Sequence, residues 1–376
     1  MTLARARWAV ALFFFVNGAM IASWVPHIPA VKAGHALSDS ALGSVLLAMA
    51  AGSVLSLPVA GRLVGRLGSR AMTSLAGLVL CVALPLPVLS ESVALLVLSL
   101  ALLGAANGTL DVSMNAQALG VERRYERPIM SSFHAFFSLG GASGAALAGI
   151  AMRLGVSDAA HVVLAAATGA VALTVAHRSL LPTESSGERP ASVFGRPSPA
   201  LLLLGALAFA GLLAEGAIAD WSAVYLHDSL GASPAVAAAG FAAFSLAMTA
   251  GRLAGDRIVG RLGAVGALRA SGGVAAAGLA AGLSIGGPTA AIAGFGLVGA
   301  GIANIVPVLF SSAGRAGGGA AGSALAAVAT PGYLGFLAGP ALIGLTAEHF
   351  GLRAALGLVS TACALVAVSA NRLTRL

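Results

Sequence analysis

Residues 62–68 read RLVGRLG and residues 257–263 read RIVGRLG, so only the second of the seven positions differs. The offset that superimposes these segments also aligns two further sets of identical residues: Leu102, Gly104 and Ala105 with Leu297, Gly299 and Ala300, and Gly140, Gly144 and Gly149 with Gly335, Gly339 and Gly344. Three coincidences at a single offset indicate that the chain consists of two related halves.

The composition indicates an integral membrane protein. Of the 376 residues, 58% are hydrophobic and 9% are charged, whereas soluble domains carry about 25% charged residues. A transmembrane helix needs about 20 predominantly apolar residues. Twelve such stretches occur, at 8–31, 40–64, 71–90, 93–117, 129–152, 159–176, 199–226, 234–254, 267–285, 289–313, 321–346 and 354–370. We therefore predict an all-α integral membrane fold with twelve transmembrane helices.

The basic residues alternate between the two ends of these helices. With twelve helices, one set of loops contains 18 of the 21 Lys and Arg residues, with Arg252 counted among them, and the other set contains Lys32, Arg153 and Arg353. Loops rich in Lys and Arg face the cytoplasm, so both termini are predicted to be cytoplasmic, in a bacterial inner (plasma) membrane. The dispersed Arg residues form no basic face with aromatic or polar readers, which argues against a nucleic-acid partner.

A polar segment at 177–198 divides the chain. We interpret this segment as a cytoplasmic linker between an N-terminal six-helix bundle at 1–176 and a C-terminal six-helix bundle at 199–376. Many of the 50 Gly residues are expected where helices pack closely, because helices in lipid associate through small residues. Lys32 is the only Lys, so no Gly-Lys-Ser/Thr phosphate loop occurs. No cofactor, metal cluster or nucleophile–base pair of an enzyme is indicated.

Three segments resemble known transporters. Residues 61–70, GRLVGRLGSR, are similar to the G-x-L-x-D-R-x-G-R-R loop of the major facilitator superfamily, although Gly65 stands where that loop has its acid. Residues 107–116 resemble fucose-permease-like sugar:proton symporters, and residues 215–222 resemble a MosC-like bacterial branch. The resemblance covers the whole chain. It implies the major facilitator fold, in which two six-helix bundles move around a central site.

The acidic residues inside the predicted helices are Asp111, Glu215 and Asp220. An ionised acid at mid-bilayer costs about 2.5–3.5 kcal/mol, so a functional role is the default hypothesis. Asn107, Asp111 and Asn115 are spaced four residues apart and form one polar stripe. Because a carboxyl group held away from water is protonated more readily, we predict that Asp111 couples transport to a proton and that His134 tunes it. The alternative is a static polar network between the fourth and fifth helices.

Glu215 is predicted as a second proton-coupling residue or a solute contact, with a structural role as the alternative. The candidate solute-binding residues are Asn17, Trp24, Asn107, Asn115, Asp220, Trp221, Tyr225 and Asn304. Asp220 would equally serve an outer gate, the aromatic residues would equally lie in interfacial belts, and Asn304 would equally join helices. The predicted cytoplasmic gate comprises Arg62, Arg66, Asp256, Arg257 and Arg261. A role of these arginines in membrane topology alone would also explain them.

The sequence thus predicts a secondary active transporter, not an enzyme, that works as a monomer in the lipid bilayer. By resemblance its substrate is a small polar organic solute, sugar-like or inositol-like, and its coupling ion is a proton, with sodium as the alternative. Proton-driven export of drugs or metabolites and a non-transporting membrane sensor are the alternative functions. A cavity that reaches Asp111 or Glu215 from one side favours transport, whereas a core closed around both acids favours the sensor.

Overall fold

The structure is a computed structural model that describes residues 2–125, 129–182, 198–317 and 321–375. All regular elements in these ranges are helical. The α-helices, in chain order, are α1 Leu3–Trp24, α2 Ile28–Gly34, α3 Asp39–Leu67, α4 Ser69–Ala83, α5 Val93–Tyr125, α6 Met130–Arg153, α7 Asp158–His177, α8 Pro199–Val224, α9 Pro234–Ile285, α10 Pro288–Ile302, α11 Ile305–Gly317 and α12 Ala321–Ser369. Short 3₁₀ or π turns follow α1, α8 and α12, at Val25–His27, Tyr225–Ser229 and Ala370–Arg375.

The predicted helical membrane fold is confirmed. Within the described residues, nine helices are long and apolar enough to cross a membrane when α1 is taken with α2 and α10 with α11, and α4 is a shorter apolar helix. These segments do not correspond one to one with the twelve predicted crossings. The exact number of twelve therefore stays a prediction.

The two longest helices each contain one glycine with non-helical backbone angles. Gly263 interrupts α9 with φ 67° and ψ 172°, and Gly351 interrupts α12 with φ 79° and ψ 157°. Gly68, the repeat partner of Gly263, has φ 87° and ψ 150° at the boundary between α3 and α4. A residue with a side chain rarely adopts such positive φ values, so glycine is needed at both equivalent positions.

Proline explains where helix boundaries differ from the predicted stretches. The first apolar stretch, 8–31, is broken after Trp24, because Pro26 and Pro29 lack the amide hydrogen that a continuous helix requires. The stretch 289–313 is likewise split between α10 and α11. Pro307 cannot donate to the carbonyl of Ala303, which lies in this break.

The internal repeat is also present in the helix packing. A Cβ atom added to Gly104 on α5 would collide with the carbonyl of Met49 on α3. A Cβ atom added to Gly299 on α10 would collide with the carbonyl of Phe244 on α9. Both pairs are related by the offset found in the sequence, so the two halves form the same close helix contact at the same place.

The main contacts between the two halves are α6 with α9 and α3 with α12. Within the first half α1 packs on α6 and α3 on α5, and within the second half α8 packs on α12 and α9 on α10. At the α3–α12 contact, Gly43 lies against Gly344 and the carbonyl of Pro340. Most of the predicted linker, 177–198, falls outside the described residues, so the division into 1–176 and 199–376 stays a prediction.

Candidate functional site

A cavity of about 980 Å³ lies between the two halves. Residues of α1, α3, α5 and α6 line one side of it, and residues of α8, α9, α11 and α12 line the other. The cavity extends to Ser131, Gly260 and Arg315, which are exposed residues near helix ends. We call this end of the molecule, where Arg62 and Arg257 also lie, the arginine-rich face, and the other end the opposite face. A cavity of this volume is large enough for a small organic molecule.

Asp111 lies in the wall of this cavity on α5. Asn107 and Asn115 line the same cavity, as their spacing predicts. The side-chain nitrogen of Asn115 donates to the Asp111 carboxylate at 3.0 Å and to the Asp111 backbone carbonyl at 2.8 Å. Within the described ranges, no cationic side chain forms an ion pair with Asp111. The carboxylate is thus oriented by one amide and otherwise available to a proton or a solute.

Arg252 and Glu215 lie close together on the side of the cavity that the second half of the chain forms. Nη2 of Arg252 on α9 is 3.7 Å from Oε1 of Glu215 on α8, and the two side chains are 16% and 23% exposed. The prediction that Arg252 belongs with the loop arginines is wrong, because it lies within α9 and lines the cavity. The signal for its true position was its place inside the apolar stretch 234–254.

His134 lines the same cavity from α6. Its ring packs edge-to-face against Phe14, with 5.3 Å between the ring centroids. In the part of the chain that the structure describes, no hydrogen bond joins the His134 ring to Asp111. In this conformation, no direct bond between the described side chains supports the predicted tuning of Asp111 by His134.

Asn304 combines the two roles considered for it. It lies in the break between α10 and α11 and lines the cavity. Its side-chain nitrogen also donates to the backbone carbonyl of Gly251 on α9, at 3.1 Å. Tyr333 and Phe336 of α12 complete this side of the cavity.

Not all predicted solute-binding residues lie at this cavity. Those outside its lining are Asn17, Trp24, Asp220, Trp221 and Tyr225. Both tryptophans and Tyr225 are at most 2% exposed, so they are packed inside the protein and do not form a lipid-facing belt. Helix α8 continues through Gly216 without unwinding, and Glu215 and Asp220 consequently lie on different faces of it.

The predicted gate residues are found at the arginine-rich face. Asp256 lines the mouth of the cavity. The four arginines are exposed and do not line it: Arg62, Arg66, Arg257 and Arg261. Their action as a gate stays a prediction.

The opposite face is closed by polar contacts between the halves, which the sequence analysis missed. Nζ of Lys32 on α2 lies 2.6 Å from a carboxylate oxygen of Asp39 and 2.7 Å from one of Asp228, which follows α8. The amide of Ser40 on α3 donates to the carboxylate of Glu348 on α12 at 3.1 Å. The available signal was that Lys32 is the only Lys and lies on the side with few cations.

Comparison with known proteins shows the family. The Major Facilitator Superfamily model matches residues 8–330. An uncharacterized MFS-type transporter of Yersinia pestis is 41% identical over 365 residues, which are 97% of this chain and 94% of that protein. Membrane protein MosC of Rhizobium meliloti is 37% identical over 352 residues, covering 93% of this chain and 85% of MosC. The chain belongs to the major facilitator superfamily: it is a multi-pass membrane protein of a transporter family, not an enzyme.

Solved structures confirm the fold. The nucleoside transporter NupG superimposes with a TM-score of 0.75 at 11% identity and covers 100% of both chains. A D-xylose-proton symporter superimposes with a TM-score of 0.75 at 13% identity, covering 98% of this chain and 97% of the symporter. At these identities the likeness concerns the fold and not the substrate.

Proposed function

We propose that this chain is a secondary active transporter that moves a small polar organic solute, sugar-like or inositol-like, across the membrane by alternating access, coupled to a proton at Asp111. The observation that carries this proposal is the cavity, which reaches both Asp111 and Glu215 from the arginine-rich face while contacts close the opposite face. A membrane sensor with a closed core would lack such a cavity.

The arginine-rich face is the cytoplasmic face in this proposal, because Lys and Arg accumulate in cytoplasmic loops. Both termini then lie in the cytoplasm of a bacterial inner membrane. With this orientation, the cavity opens to the inside of the cell. Movement of the halves around the cavity would close this mouth and separate α2 and α3 from α8 and α12 at the opposite face.

The charges of the cavity support coupling to one proton. Glu215 and Arg252 form an ion pair, and Asp256 and Arg315, which both line the mouth of the cavity, add one charge of each sign. The described lining thus contains three acids and two arginines, which leaves one negative charge unbalanced. We assign this charge to Asp111, because Asp256 is exposed at the mouth. Carrying an unpaired charge through a membrane interior is costly, so protonation of Asp111 makes the loaded cavity neutral and easier to move.

The sugar-like solute is supported by the resemblance of residues 107–116 to fucose-permease-like symporters and by the amide groups of the cavity. Asn107 and Asn115 beside Asp111 offer hydrogen-bond donors and acceptors that match hydroxyl groups. The aromatic residues of the wall also favour a second candidate, the export of amphipathic drugs or metabolites. They include Phe14, Phe137, Phe310 and Phe336.

A ligand screen followed by a coupling assay tests the proposal. Purified protein is screened by thermal shift at two pH values against sugars, polyols and amphipathic drugs. The ligand found is then used with Asp111→Asn in proteoliposomes. We expect this variant to lose proton-driven uptake, because its amide cannot bind and release a proton, but to keep counterflow exchange of the solute.

Glu91→Gln is the control, since an acid is likewise changed to its amide, but at an exposed residue outside the cavity lining. It should retain both uptake and counterflow. Proton-driven uptake at the wild-type rate in Asp111→Asn would end the assignment of Asp111 as the coupling residue. Stabilisation by amphipathic drugs alone would select the export function.

A further inference from the structure

Arg252 lies where the cavity ends and the closed contact between the halves begins. Further toward the opposite face, α6 and α9 are in close contact: a Cβ at Gly141 would lie 3.1 Å from the Ser245 hydroxyl, and one at Gly149 would lie 3.1 Å from Ala238. Arg252 follows Ser245 by about two turns of α9 and lines the cavity. Arg252 therefore lies at the end of the α6–α9 contact that is nearest to the cavity.

The guanidinium of Arg252 bonds across the boundary between the halves. Its Nη1 donates to the Ser138 hydroxyl at 2.5 Å and to the backbone carbonyl of His134 at 3.2 Å, both on α6. The Ser138 hydroxyl in turn donates to the same carbonyl at 3.3 Å. Ser138 is 3% exposed, so water does not readily replace this hydroxyl as an acceptor.

The acid within reach of Arg252 belongs to its own half of the molecule. The 3.7 Å between Arg252 Nη2 and Glu215 Oε1 is an ion pair but too long for a hydrogen bond. Only a small side-chain movement separates this arrangement from a direct, charge-assisted bond, which is the stronger kind. Arg252 thus has one set of partners in each half and in this conformation is hydrogen-bonded to the first half.

We propose that Arg252 is a positioning residue that exchanges Ser138 and the His134 carbonyl for Glu215 when the opposite face opens. The inference rests on the proposed function, since it needs two alternating open states. Separation of α6 from α9 removes both hydrogen bonds of Nη1, and a charged group left without partners inside a membrane protein is strongly disfavoured. Glu215 compensates this loss and so lowers the free energy of the state that is open at the opposite face.

The partner exchange also links the solute site to the movement of the halves. Glu215 and Arg252 both line the cavity, so a solute that bonds to the Glu215 carboxylate competes with Arg252 for it. Occupancy of the site then changes the balance between the two open states. A ligand shifts such an equilibrium only through different affinities for the two states, and Arg252 provides that difference.

The test measures the two states directly. Spin labels are placed at Gly34→Cys and Ile285→Cys, one in each half near the opposite face, with Cys81 and Cys363 replaced by Ala, and double electron–electron resonance gives the fraction of open molecules. Ser138→Ala should raise the open fraction at the opposite face. Glu215→Gln should lower it. Each change is expected to be about tenfold or more, as for hydrogen bonds to a charged group.

The control for Ser138→Ala is Ser143→Ala, which removes from the same helix a half-buried hydroxyl that donates to the Leu139 carbonyl, and it should leave the distances unchanged. In an Arg252→Gln background, neither Ser138→Ala nor Glu215→Gln should shift the open fraction, because both act through the guanidinium. Arg252→Lys should restore part of the response to Glu215→Gln.

Shifts of Ser138→Ala and Glu215→Gln in the same direction, or shifts that persist without Arg252, would overturn the assignment. That result leaves the proposed transport function intact if two distance populations are present. A single distance population in every variant, with and without the stabilising ligand of the thermal-shift screen, would overturn both.

Discussion

Several buried polar atoms in the described part of the chain have no hydrogen-bond partner in this conformation. The indole nitrogens of Trp24 and Trp221 and the side-chain oxygen of Asn17 are buried without a hydrogen-bond partner among the described residues. An unsatisfied buried group costs about 1–3 kcal/mol. All three residues were predicted to bind solute and lie outside the present cavity. We interpret them as groups that find partners when the opposite face opens.

Trp221→Phe tests this interpretation. The change keeps most of the buried ring and removes the unpaired N–H, so the thermal stability of the ligand-free protein should stay the same or rise. Affinity for the stabilising ligand should fall about fivefold or more, because the variant loses a donor that only the bound state uses. Calorimetric titration of purified protein measures the affinity.

Trp8→Phe is the control, as Trp8 is 64% exposed and lies outside the cavity lining. It should leave the affinity unchanged. Equal affinities of Trp221→Phe, Trp8→Phe and wild type would exclude Trp221 from the solute pathway.

Pairs of helices are held together by the close approach of backbones. Gly104 of α5 and Gly299 of α10 occur at equivalent positions of the repeat, each against a backbone carbonyl of the neighbouring helix. Contact of this kind is possible only where both helices lack a bulky side chain between them. The repeat thus preserves a packing geometry in addition to a sequence motif.

Gly104→Ala should destabilise the fold. The added methyl group would meet the Met49 carbonyl, which belongs to the backbone and cannot rotate away, and overpacking typically costs about 1–3 kcal/mol. Gly61→Ala is the matched control, because no atom lies within 4 Å of a Cβ at that position. Thermal unfolding in detergent should show a lower midpoint for Gly104→Ala alone, and an unchanged midpoint would contradict this account of the α3–α5 contact.

At the scale of the whole molecule, the opposite face is closed by a few polar contacts above a surface of small residues. Lys32 connects Asp39 of its own half with Asp228 of the other half. Gly43 and Gly344 allow α3 and α12 to meet beneath it. Partly exposed ion pairs contribute about 0.2–1 kcal/mol each, so this closure is weak enough to open during a transport cycle.

Asp228→Asn should therefore favour opening at the opposite face by about two- to fivefold. Asp39→Asn should have a smaller effect, because the bond from Lys32 to Asp39 does not cross between the halves. A single cysteine at Ser245, which is 3% exposed in the α6–α9 contact, reports opening by its alkylation rate with a membrane-impermeant maleimide. Equal rates for the two variants would argue against Lys32 as a link between the halves.

Much of this architecture was determined by the sequence alone. Apolar stretches of membrane-spanning length, the repeat around residues 62–68 and 257–263 and the loop asymmetry of Arg predicted a helical membrane transporter of the major facilitator superfamily. The polar stripe Asn107–Asp111–Asn115 was predictable because residues four apart share one face of a helix. These properties depend on composition and local periodicity, which a linear sequence contains.

The tertiary structure was needed wherever two distant segments meet. The role of Arg252 depends on Ser138, His134 and Glu215, which lie on two other helices. Its place inside an apolar stretch separates it from the loop arginines, but no local pattern identifies these partners. The same holds for the link from Lys32 to Asp228 and for the separation of Trp24 and Trp221 from the cavity. The packing of all helices together determines which face of each helix contacts the other half and which face lines the cavity. The sequence of a single helix does not contain this information.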